Sequence, residues 1–113
     1  MAQPLSPAVF HVLLVLASGD RHGYGIMKDV LAQSDGSVKL GPGTLYGTLQ
    51  RLIECQWVAE APRAGPRTVQ GRDRRYYRIT GKGKAALDGD VARLEQLVRV
   101  VRAVKEGPRG SRS

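Results

Sequence analysis

The stretch LGPGTLYGTLQRL, residues 40–52, makes two demands that few folds meet together. Leu45, Leu49 and Leu52 recur at i, i+4 and i+7, the spacing of one buried helical face. Gly43 and Gly47 fall on the opposite face, where a glycine costs a helix interior roughly 1 kcal/mol against alanine. Gly41 suits an N-cap, and Pro42 suits the first helical position, where its missing N–H costs nothing. A helix over residues 42–56, with Ile53 also inward, is therefore expected. Bare positions on its outer face let another molecule approach the backbone closely, at some cost in helix stability.

Two further helices are expected upstream. Residues 6–18 have Ser6 as N-cap, Pro7 at the first position and Gly19 beyond the end. Val9, Phe10, Val12, Leu13, Leu14, Val15 and Leu16 cover nearly the whole circumference, so this helix needs cover on more than one side. Residues 18–23 read as a turn, residues 24–33 as a helix burying Ile26, Met27, Val30 and Leu31, and residues 34–37 as a second turn.

After residue 56 the period changes. Residues 57–61 and 74–79 read as two short strands, with Tyr77 and Ile79 in the core and Arg74, Tyr76 and Arg78 facing away. Residues 62–73, with two prolines and two glycines, form the hairpin tip. Thr80 then caps a final helix to about residue 105. In it Leu87, Val91, Leu94, Val98 and Val101 step by four and three, a heptad seam widened by Leu97, Val100 and Val104. A dimer contact is expected there, the alternative being a helix that packs back on its own domain. The expected organisation is a domain over residues 1–80, a dimerisation helix over 81–105 and a disordered basic tail over 106–113.

Charge narrows the function. Between Arg63 and Lys84 lie eight basic residues against Asp73 alone, so nearly all of the net charge of +8 sits in and beside the hairpin. A block of one sign points to an anionic partner, although like charges are sometimes merely solvated. A single cysteine, Cys55, excludes an internal disulfide framework and is expected to be a small buried hydrophobe. His11 and His22 have no acid, base or nucleophile at a useful spacing, so no enzyme, metal site or cofactor is expected. The longest apolar run, Val12–Ala17, is too short for a membrane span, and the first residues lack a signal-peptide pattern. A soluble, cytoplasmic protein is expected.

Helix, helix, turn, helix, then a two-stranded basic hairpin is the order of a winged helix-turn-helix, a mainly α, α+β fold with a long C-terminal helix. The position of the charge block is the position of the wing. In this order and spacing, HGYGI at 22–26, GPGTLYGTLQRL at 41–52 and RRYYRIT at 74–80 resemble the PadR family of bacterial transcriptional regulators. The likeness extends over most of residues 5–105, and the single terminal helix is similar to short-form members. The resemblance implies a homodimeric regulator, usually a repressor, often answering to small aromatic or drug-like effectors. Some short-form relatives stack drugs on a terminal-helix aromatic. This terminal helix has none, and Trp57, at the start of the first strand, is assigned to core packing.

The helix-turn-helix places its last helix in the major groove. Gly43, Thr44, Tyr46, Gly47, Thr48 and Arg51 lie off the leucine stripe and are expected to face DNA. Arg51 suits a bidentate pair with guanine, and the threonine methyls suit a thymine methyl. Tyr46 has an alternative place as a half-buried ring bracing the wing. Tyr24 is expected to reach a phosphate. Arg72, Arg74, Arg75 and Arg78 are expected at phosphates or in the minor groove, adding affinity more than sequence choice. The expected function is a sequence-specific repressor bound to a palindromic operator, the alternative being a module for protein recognition or architectural DNA binding.

Overall fold

The computed structural model describes residues 4–61 and 75–107. In chain order the elements are α1 (Pro7–Ala17), β1 (Arg21–His22), α2 (Gly23–Gln33), α3 (Pro42–Glu54), β2 (Val58–Ala61), β3 (Tyr76–Ile79) and α4 (Gly81–Glu106). The three expected N-caps are in place. Ser6 and Thr80 accept from the amides of Val9 and Gly83, at 3.2 and 3.0 Å. Gly41 caps α3 without a side chain, followed by Pro42.

The helix-turn-helix corner is built by backbone chemistry. At the end of α2, Asp35 takes the left-handed conformation (φ 55°), and the amides of Asp35 and Gly36 donate to the carbonyls of Ala32 and Leu31. Gln56 closes α3 in the same way, with φ 66° and a bond from the Trp57 amide to the Leu52 carbonyl. Both are helix-ending motifs in which a left-handed residue lets the orphan carbonyls find donors.

Sequence reasoning expected two strands; the described residues form three. β1 pairs antiparallel with β3, and β3 with β2, giving the order β1-β3-β2. Residues Arg21 and His22 fall inside the segment expected to be a turn. Two residues carry no readable alternation, and their strand conformation comes from pairing with Tyr77 and Tyr76.

The helices and sheet close on one core. Leu13, Leu16, Ile26, Val30, Leu45, Leu49, Val58, Tyr77, Ile79 and Leu87 are all buried in it. Met27, Ile53 and Trp57 are partly buried against it. Leu31, expected inside, is 40% exposed, because it follows Val30 by one position and so turns off the Ile26–Val30 face. Cys55 is exposed as the C-cap of α3, not buried. Leu14 on α1 is also exposed, so part of this all-apolar helix is uncovered within one chain. Glu106, expected in the tail, is the last helical residue; residues 108–113 lie outside the described ones.

Among the described residues, α4 joins the domain through its first half. Gly83 lies so close to the chain at Trp57 that a Cβ would overlap the Trp57 carbonyl oxygen and sit 2.8 Å from Ile79 Cγ1. Leu87 is in the core and Val91 packs against it. Asp90, buried, accepts from the Leu5 amide at 3.3 Å and from Arg93 Nε at 2.8 Å. The Arg93 guanidinium holds the Asp90 carboxyl below the ordinary carboxylate range, against the opposing effect of burial. A buried carboxylate needs such partners, and this one ties the N-terminal segment to α4.

Candidate nucleic-acid interface

The inner face of α3 consists of Leu45, Thr48, Leu49 and Leu52, all buried. Thr48 was expected to face DNA, and that assignment is corrected: it stands three residues after Leu45 and four before Leu52, on the buried stripe itself. The outer face carries Gly43, Thr44, Tyr46, Gly47, Gln50 and Arg51, all exposed. A Cβ added at Gly43 or Gly47 would meet nothing within 4 Å. Packing among the described residues therefore does not require these glycines. They leave a bare notch, with Thr44, Gln50 and Arg51 around Gly47 at one-turn spacing.

Gln50 escaped the sequence reading, though its spacing of seven from Gly43 was a usable signal. Its amide nitrogen lies 3.5 Å from Glu54 Oε2. Arg51 has no carboxylate partner among the described residues, so its guanidinium is available for a ligand.

The start of α2 brings aromatic rings beside this face. His22 caps the helix, its Nδ1 accepting from the Gly25 amide at 3.1 Å. This cap too was missed, because histidine is not among the usual capping residues. The imidazole runs nearly parallel to the Tyr24 ring at 6.4 Å and meets the Tyr76 ring edge-on at 5.6 Å. Tyr24 is exposed, with Lys28 Nζ 5.6 Å from its ring centre. An exposed phenol and an ammonium group beside a helix N-terminus suit a phosphate.

Of the wing arginines, Arg75 and Arg78 are exposed, whereas Arg72 and Arg74 lie outside the described residues. Arg78 pairs with Asp20 at 2.9 Å, and that bond raises its pKa further. Arg75 pairs with Glu60 at 3.4 Å. Exposed pairs of this kind are worth about 0–1 kcal/mol, so phosphates can compete for both cations.

The heptad seam of α4 divides between Val91 and Leu94. Leu87 and Val91, expected at a dimer contact, belong instead to the domain's own packing, because α4 lies across α1 and β3 there. Leu94, Val98 and Val101 are exposed, and so are Leu97, Val100 and Val104. No helix among the described residues is long and apolar enough to cross a membrane, and none of those residues form a metal-binding cluster.

A recognition helix with an open outer face, set beside a small three-stranded sheet, defines a winged helix-turn-helix DNA-binding protein. The comparisons with known proteins agree. Residues 12–89 match the model of the transcriptional regulator PadR-like family. The chain is 39% identical over 92 residues to transcriptional regulator Rv3488 of Mycobacterium tuberculosis, covering 80% of this chain and 78% of that protein. A PadR family transcription regulator from Clostridium difficile superposes with a TM-score of 0.70 at 23% identity, covering 86% of this chain and 96% of the other. A PadR-like transcription factor from Bacteroides fragilis gives 0.69 at 26% identity over 83% and 85%. The chain belongs to the PadR-like family of transcriptional regulators.

Proposed function

We infer that the chain is a repressor that binds a palindromic operator as a homodimer. The observation that carries this reading is the bare outer face of α3, with Gly43 and Gly47 open to solvent and Thr44, Gln50 and Arg51 around them. In the major groove Arg51 would pair with guanine O6 and N7, and Gln50 with adenine N6 and N7. Thr44 offers a methyl to thymine. Tyr24, Lys28, Arg75 and Arg78 would hold phosphates and fix the register, and Arg72 and Arg74 are assigned the same role from the sequence. The exposed second half of α4 supports dimerisation, since a wide apolar stripe on a 26-residue helix needs cover. Such a dimer would set two copies of α3 in successive major grooves, about 34 Å apart. Repression would follow from an operator that overlaps a promoter. A small aromatic effector would bind without an aromatic stack from α4, which has no aromatic residue.

The test is a titration of a selected operator against a scrambled duplex over a salt series. Preference for the operator at every salt is expected, together with a steep common slope. A steep slope with no preference would favour architectural binding instead. Arg51→Ala should relax base choice, and Arg74→Ala should weaken both duplexes alike.

A further inference from the structure

Tyr46 is 48% exposed, yet the far end of its ring is committed to the domain. A Cβ at Gly23 would overlap the Tyr46 hydroxyl, and would lie 2.8 Å from Cζ and 3.1 Å from Cε1. Gly23 is buried and is the first residue of α2, directly after β1. β1 in turn pairs with β3, with Arg21 opposite Tyr77. The Tyr46 phenol is close enough to Tyr77 to add to the effect of burial in pushing the Tyr77 phenol up. One hydroxyl on α3 thus reaches the point where α2 begins and the wing strand passes.

We propose that Tyr46 is a positioning residue, whose hydroxyl, seated in the space left by the missing Cβ of Gly23, fixes the recognition helix against α2 and the wing strand. Helix and wing then meet DNA as one body at a set angle, and Arg51 is held at its base edge. Gly23 is the necessary counterpart. Alanine there collides with the end of a side chain, not with backbone, so the fold adjusts by moving Tyr46. The proposal rests on the operator reading above.

The experiment is a pair of double-mutant cycles on the full chain, read by fluorescence anisotropy on a selected operator and its scrambled counterpart. Gly23→Ala and Tyr46→Ala should each weaken operator binding about tenfold, and the double variant should be no weaker than Tyr46→Ala alone. In the Tyr46→Ala protein, adding Arg51→Ala should cost little further discrimination, because Arg51 is no longer held in place. A tyrosine that only touched DNA itself would leave the effect of Arg51→Ala whole, and that result overturns the proposal. So does an effect of Gly23→Ala that is undiminished without Tyr46. A readout free of DNA is the nuclear Overhauser contact between the Tyr46 ring and the Gly23 α protons, followed by NMR with ring-labelled tyrosine. It should be strong in the wild type, and its absence there overturns the contact. If the wild type shows no preference for the operator, the operator reading itself fails, and this contact still decides whether Tyr46 holds the junction.

Discussion

Gly47→Ala separates stability from function at a single methyl group. Gly47 lies inside α3, two turns before its end, and a Cβ there meets nothing within 4 Å. The added methyl therefore brings no clash, while alanine is favoured over glycine in a helix interior by about 0.8–1.0 kcal/mol. Part of that gain comes from the restricted unfolded chain. For a domain of this size it raises Tm by about 4 °C at fixed protein concentration. On DNA the same methyl occupies the notch between Thr44, Gln50 and Arg51. Pushing the helix away by a fraction of an ångström stretches the base contacts, each worth about 1–3 kcal/mol of discrimination. Operator affinity should fall roughly tenfold or more while thermal stability rises. Melting followed by circular dichroism and operator anisotropy on the same preparation check both halves. Unchanged operator affinity would refute the clearance argument, and a lowered Tm would show that the outer face of α3 is not free.

Three other substitutions follow from the packing. Thr48→Val should leave operator discrimination intact and raise stability by up to about 1 kcal/mol, since its buried hydroxyl has no hydrogen bond among the described residues; urea unfolding and anisotropy check it. Gly83→Ala should destabilise by about 1–3 kcal/mol, because backbone at Trp57 must yield and α4 must move out; the same unfolding assay measures it. Asp90 has a folded pKa below its unfolded value, so its stabilisation is complete above about pH 4 and is lost as pH falls through the folded value. Asp90→Asn should remove that part of the acid dependence, read from Tm between pH 2 and 6.

Much of the fold was legible because its signals are local. The leucine stripe and Gly41-Pro42 placed α3, and Tyr77 and Ile79 fell inward as the alternation of β3 required. What escaped depends on contacts distant in sequence. β1 is a strand only because β3 lies beside it, and the burial of Asp90 needs the Leu5 amide, 85 residues away. Thr48 was misplaced for a different reason. A polar residue invites an outward assignment, although its spacing from Leu45 and Leu52 already put it on the inner face. On α4 the heptad pattern is continuous, but only the structure shows that the domain itself covers Leu87 and Val91 and leaves Leu94, Val98 and Val101 open. At the interface, sequence separated the two faces of α3, whereas the meeting of Tyr46 with Gly23 required the tertiary fold.

The central claim is that two copies of α3 lie in successive major grooves of one operator. Guanine N7 methylation interference on a duplex selected by the protein from genomic fragments tests it most directly. Two clusters of interfering guanines are expected one helical turn apart, about 10–10.5 base pairs, related by a dyad and both relieved in Arg51→Ala. A single cluster, or two clusters that are unchanged in Arg51→Ala, would contradict it.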